Sequence, residues 1–155
     1  MPAQRAIAAS IAFLAATACT HAPGSNASKF TSCPAYAPAF EVTDRFMETF
    51  NARDMGGWEA TYHFPHVRVA SGDVTILPAA GTRTDTFERL AATGWNRSAW
   101  ISREIVQCGP EKAHLATVFA RYRDDGSELS RFDSLYIIEF KDNRWAITGR
   151  SSFAP

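Results

Sequence analysis

From Trp100 onward the chain reads as four strands in succession: Trp100–Cys108, Lys112–Arg123, Glu128–Lys141 and Arg144–Phe153. Between them stand Gly109-Pro110-Glu111, Asp124-Asp125-Gly126-Ser127 and Asp142-Asn143, each of which carries turn-forming residues. Short connections of this kind force neighbouring strands to run antiparallel. Side chains alternate between the two faces of a strand, so each turn also predicts which residues share a face.

Counting back from the Asp142-Asn143 turn pairs Phe140 with Trp145, Ile138 with Ile147, Tyr136 with Gly149 and Ser134 with Ser151. Counting from Asp125-Gly126 adds Phe132 with Phe119, Ser134 with Thr117 and Tyr136 with Leu115. Through Gly109-Pro110, the same face gains Val106, Glu104, Ser102 and Trp100. This aromatic and aliphatic face is suited to receive helices. The opposite face carries His114, Ala116, Val118, Ala120, Tyr122, Arg131, Asp133, Leu135, Ile137, Glu139, Ala146, Thr148, Arg150 and Ser152. Such a mixture suits either a wet surface or a homodimer formed through the outer sheet face.

Upstream, Val42, Phe46, Met47 and Phe50 recur at helical spacing and predict a helix over Ala39–Arg53. Trp58 and Tyr62 predict a short second helix that Pro65 ends. Val67–Ala70 and Val74–Leu77 read as short strands around Ser71-Gly72-Asp73. A third helix is expected from Asp85, with Glu88 as capping-box partner and Gly94 as its stop. Helix, helix, hairpin, helix and four strands make an α+β fold with helices gathered on one face of the sheet.

At 155 residues, 46% hydrophobic and 21% charged, the chain suffices for one folded domain. A formal net charge of +0 without a Lys/Arg block argues against nucleic acid as a partner and against attraction to anionic membranes. Arg5, the apolar run Ala6–Ala16 and Ala16-Thr17-Ala18 form a signal-peptide pattern over residues 1–18, too short to span a bilayer. The expected location is the bacterial cell envelope or periplasm, or outside the cell.

Cys19 occupies the position of a lipoprotein's acylated cysteine, although Ala16 stands where Leu is usual; lipid attachment and plain secretion both remain open. A lipid on Cys19 would be the membrane link. Residues 19–38, rich in Ala, Ser and Pro, read as a tether to a domain over 39–155. In an oxidising compartment Cys33 and Cys108 either form a disulfide or stay free, one exposed and one buried.

This element order, with Phe46…Phe50-Asn51-Ala52-Arg53-Asp54, Phe64-Pro65-His66-Val67-Arg68, Asp142-Asn143-Arg144-Trp145-Ala146-Ile147 and Arg150-Ser151-Ser152-Phe153, resembles the nuclear transport factor 2-like superfamily, nearest its SnoaL-like and related bacterial branches. The resemblance covers Ala39 to Pro155. It implies a cone: a curved antiparallel sheet around the N-terminal helices, as in cystatin-like folds, with an apolar pocket at the open end. Members include ketosteroid isomerase, scytalone dehydratase, limonene epoxide hydrolase and polyketide cyclases, and many others have no known catalysis. Isomerase chemistry would require an Asp base beside a Tyr and a protonated Asp. The expected inner face has Tyr136 and Glu104, whereas Asp133 falls outside.

A small hydrophobic molecule is the expected partner, with no cofactor. If the site is catalytic, an isomerase, cyclase or lyase, His66 would be its base, Glu104 its desolvated acid or base and Tyr136 its hydrogen-bond donor. His63, Trp95, Trp100, Thr117, Arg121 and Ser134 are the candidate ligand contacts. Each has a plainer alternative: capping histidines, core aromatics and strand-surface charges. Arg121 and Arg150 would order an anionic ligand if they face the pocket. His63 and His66 lack a credible third ligand, so no metal is expected. A third outcome is an interaction module whose pocket is filled by its own side chains. His66→Ala is expected to leave folding intact.

Overall fold

The computed structural model describes residues 29–155. The signal peptide expected at 1–18, Cys19 and the first part of the tether lie outside the described residues. The elements are α1 (Tyr36–Asn51), α2 (Met55–Glu59), β1 (Tyr62–Ala70), β2 (Asp73–Leu77), α3 (Thr86–Ala92), β3 (Arg97–Cys108), β4 (Lys112–Tyr122), β5 (Glu128–Lys141) and β6 (Arg144–Ser152). One curved six-stranded sheet runs β2-β1-β6-β5-β4-β3. Every neighbouring pair is antiparallel except β1 and β6, which are parallel. Among the described residues no helix is long and apolar enough to cross a membrane.

The buried residues of α1, Ala39, Val42, Thr43, Phe46, Met47 and Phe50, keep the helical spacing read from the sequence. The helix begins three residues before the expected Ala39, because Pro38 falls in the first turn, where a missing N–H breaks no helical bond. At its other end, Asn51 exchanges two hydrogen bonds with the backbone of Ser98, donating at 2.9 Å and accepting at 2.8 Å. A disulfide joins Cys33 to Cys108 across 75 residues, tying the approach to α1 to the end of β3. That choice, open in the sequence, adds about 2–4 kcal/mol by restricting the unfolded chain.

Two local expectations are corrected. The second helix stops at Glu59, and Tyr62 and Pro65 belong to β1. Proline is tolerated there because β1–β6 pairing is interrupted between Tyr62 and Val67, so its missing N–H leaves no ladder bond unmade. The capping box before α3 does not form: the Asp85 side chain caps no backbone N–H and pairs instead with Arg89 at 3.3 Å. Gly94, at φ +84°, ends that turn as expected.

Register agrees with the sequence reading along β4–β5, where Phe119, Thr117 and Leu115 face Phe132, Ser134 and Tyr136. Elsewhere bulges reverse it. In β6, Ile147 keeps its predicted partner Ile138, but Thr148 is then an extra residue. Beyond it Tyr136 faces Arg150 rather than Gly149, and Ser134 faces Ser152 rather than Ser151. Arg150 and Ser152, expected outside, thus turn inward. Gly149 sits at this step between β5 and β1, where an added Cβ would lie 3.5 Å from the Val67 carbonyl oxygen.

In β3, Ile101 and Val106 are the extra residues, 43% and 41% exposed. Ser102 and Glu104 pair with Val118 and Ala116 of the outer face, and Arg103 takes the inward place opposite Thr117. Its guanidinium reaches Thr43 Oγ1 at 2.9 Å and Asp44 at 2.6 Å. Contact with α1 therefore decides which residues of β3 point in.

Candidate functional site

The interior of the cone is filled by rings. Phe46 lies 5.8 Å from Phe50, 5.9 Å from Trp58, 6.1 Å from Tyr62, 6.2 Å from Trp100 and 5.6 Å from Tyr136, centroid to centroid. A void of about 20 Å³ remains there, lined in part by Trp100, Tyr136, Arg121 and Arg150. That is room for about one water and for no organic ligand.

Usable space lies above this packing. A cavity of about 580 Å³ opens between the sheet, β2 and α3. Phe50, Trp58, Leu77 and Leu90 supply its apolar walls. Arg68 of β1, Arg121 of β4, Arg150 of β6, Arg83 of the loop before α3 and Arg89 of α3 also line it. No Asp or Glu does.

Each arginine is placed by its surroundings. Arg83 stacks on Trp58 at 4.5 Å, and Arg150 lies 5.1 Å from the Tyr136 ring. Arg150 also donates to Ser152 Oγ at 3.0 Å, and the Ser134 hydroxyl donates to the same oxygen at 2.8 Å. Arg68 donates to the Ala154 carbonyl at 3.2 Å, and Arg121 lies 5.1 Å from the Phe132 ring. Of these five arginines only Arg89 has a carboxylate partner among the described residues. Nε and Nη2 of Arg83, Nε of Arg121, Nε of Arg150 and Oγ1 of Thr86 are buried without hydrogen-bond partners. Each such donor costs about 1–3 kcal/mol. Burial, with Arg150 and Arg68 nearby, brings Arg121 down to about 10. Burial, then Arg150 and Arg83, lowers Arg68.

The proposed catalytic trio does not assemble. Glu104 is exposed on the outer face, so the role given to it as a desolvated acid or base is withdrawn. His66 is 1% exposed, stacks on Tyr62 at 4.1 Å and places Nδ1 3.2 Å from the Ile147 carbonyl oxygen. Burial foremost, with Arg83, Arg150 and Arg68 adding to it, holds His66 at about 4. Its ring is therefore neutral, with Nδ1–H as the donor to that carbonyl. A buried, stacked ring is part of the packing, which revises the expectation that His66→Ala leaves folding intact. Tyr136 is buried between Phe46, Trp100 and Arg150, and burial pushes it up to about 12.

The other predicted contacts divide. Arg121 lines the cavity, and Trp100 lines the small void beneath it. Ser134 accepts from Arg150 directly at 3.5 Å and also supports it through Ser152. Trp95 is core, donating to Ser98 Oγ at 3.0 Å. Thr117 is buried below the cavity and donates to the Ser134 carbonyl at 3.4 Å. His63 is buried, not a capping residue, with Nε2 3.2 Å from the Glu139 carbonyl oxygen. Among the described residues no group of three His, Cys, Asp or Glu is placed to hold a metal.

Arg68 and Arg83 were missed. The apolar residues of the β1–β2 hairpin mislead: Val67, Val69, Val74 and Ile76 are 37–66% exposed, while Arg68, Thr75 and Leu77 face the cavity. The usable signal was Ala70, whose two-residue spacing to Arg68 and His66 places all three on the inward side.

Comparison with known proteins agrees with this architecture. A cystatin-like-fold protein of unknown function from Nostoc punctiforme superposes with a TM-score of 0.63 at 14% identity, covering 76% of this chain and 88% of its own. An NTF2-like protein from Novosphingobium aromaticivorans gives 0.61 at 13%, over 76% and 79%. A ketosteroid isomerase-like protein from Erwinia carotovora atroseptica gives 0.59 at 14%, over 77% and 95%. At such identities these likenesses speak for the fold alone. No curated protein matches the chain. The family model described as NTF2-like protein (DUF6841) matches residues 39–153, and the chain belongs to that family.

Proposed function

We propose that this NTF2-like domain is an exported binding protein that holds a small molecule at the mouth of its cone rather than transforming it. The cavity of about 580 Å³ walled by Phe50, Trp58, Leu77 and Leu90 carries the reading. It has the size and the mixed lining of a small-molecule site. Among the described residues no acid–base pair converges on the cavity, which favours holding over turnover: Glu104 faces away, and His66 is buried outside its lining. Export rests on the signal pattern in residues 1–18 and is consistent with the Cys33–Cys108 disulfide.

Native mass spectrometry of protein purified from its own cell envelope tests both parts. The expected result is a species lacking residues 1–18, carrying a small molecule that dissociates on activation, with any lipid on Cys19 visible as added mass. Cytoplasmic protein that retains residues 1–18 would overturn export. Turnover of a recovered ligand would overturn holding in favour of the isomerase, cyclase or lyase reading. The same spectrum reads subunit count: Phe153, 77% exposed beside Val118 and Leu135 on the outer face, suits a second copy there.

A further inference from the structure

We infer that the ligand is an amphipathic organic anion, whose carboxylate, phosphate or sulfate group sits among Arg68, Arg83, Arg121 and Arg150 while its apolar body lies on Phe50, Trp58, Leu77 and Leu90. This rests on the proposal that the cavity is a ligand site, and adds the ligand's charge and where that charge is held.

Three independent features converge. The first is charge imbalance. Four guanidiniums from β1, β4, β6 and the loop before α3 line one cavity to which Pro155 also contributes; among the described residues none of the four has a carboxylate within 4.0 Å, and no Asp or Glu side chain forms part of the walls. In a chain with 16 basic and 16 acidic residues, such segregation is a local arrangement and not a consequence of composition. Like charges gathered at one buried site oppose folding unless an anion joins them.

The second feature is unspent hydrogen bonding. Arg83 offers Nε and Nη2, Arg121 and Arg150 each offer Nε, and Thr86 offers Oγ1, all buried and unpaired. Guanidinium N–H groups match the oxygens of a carboxylate or phosphate, which accept several charge-assisted bonds at once. A neutral apolar ligand would leave these donors as they are.

The third is that two of these arginines are anchored from behind. Ser152 holds Arg150, itself bonded to Ser134, and the Trp58 ring backs Arg83. Side chains fixed in this way lose little freedom when an anion arrives. The apolar walls then distinguish an organic anion from a bare inorganic one.

Isothermal titration calorimetry of the purified protein at low salt, with octyl phosphate, octanoate, octanol and inorganic phosphate, tests the inference. Octyl phosphate and octanoate are expected to bind at least about tenfold more tightly than octanol, and octyl phosphate more tightly than inorganic phosphate. Raising the salt should weaken the two organic anions and leave octanol unchanged. Arg121→Met and Arg150→Met, each checked for cooperative unfolding, should erase most of the preference for anions. Should either variant fail to fold, the wild-type salt series still decides. Octanol binding as tightly as octyl phosphate would overturn the anion assignment while leaving the ligand site standing. Inorganic phosphate binding as tightly as octyl phosphate would overturn the apolar half. No binding by any of the four would overturn both this inference and the ligand-site reading.

Discussion

Inside the cone, Phe46 meets five other aromatic rings within 6.2 Å and leaves about 20 Å³ unfilled. At its mouth, on the same strands, Arg68, Arg121 and Arg150 join Arg83 around about 580 Å³, with donors buried and unpaired. The interior is packed for stability, whereas the mouth holds like charges at a cost in stability. Strands β4 and β6 take part in both, Phe119 standing two residues from Arg121 and Ile147 three from Arg150. An arrangement in which one sheet is well packed below and under-satisfied above suits the binding role proposed for the mouth.

The contrast can be broken first at the interior. Phe46→Ala should cost about 3–5 kcal/mol, because it removes the hub of the ring cluster and the void beside it is too small to absorb the loss. Urea unfolding measures this, and a cost below about 1 kcal/mol would show the interior to be looser than described. Next comes the covalent tie at Cys33–Cys108, near the β3–β4 turn and away from the arginines. Replacing both cysteines by serine should lower stability by about 2–4 kcal/mol and leave anion affinity unchanged. A parallel loss of affinity would mean that the two ends are coupled.

A third test is pH. His66 is held at about 4 against an ordinary 6.5, so the unfolded chain takes up a proton between those values that the folded one resists. Stability should be full above pH 6.5 and fall as pH drops toward 4, by on the order of 2–3 kcal/mol, with His63, also lowered by burial, acting in the same direction. Thermal melts across that range check it; His66→Gln should be less stable at pH 7 and show a flatter profile. The smallest effect belongs to the mouth. Arg121→Met should leave stability unchanged or raise it by up to about 1 kcal/mol, since it removes one buried like charge. A large loss there would place Arg121 with the packing instead of the site.

How far the sequence could be read follows the same division. Phe119–Phe132, Thr117–Ser134 and Leu115–Tyr136 were paired correctly because a short turn and an uninterrupted alternation leave one register. The helical stripe of α1 was legible for the same kind of reason: its period is local. Glu104 and Arg150 were placed on the wrong faces because each follows a bulge, and a single extra residue reverses every side chain beyond it. Arg68 was not singled out because no face was assigned to β1, where the apolar Val67 and Val69 turn out to be the exposed residues.

The sequence by itself determined the α+β order, the antiparallel pairing of the last four strands and the aromatic interior, all set by turn chemistry and by periods of two and 3.6 residues. Tertiary structure alone decided the Cys33–Cys108 bond, the parallel entry of β1 beside β6 and the inward turn of Arg150. It also decided the gathering of four arginines that lie far apart in the chain. Those features depend on which strand lies beside which, and on bulges that neighbouring elements impose. Neither is encoded in the spacing of residues along any one segment.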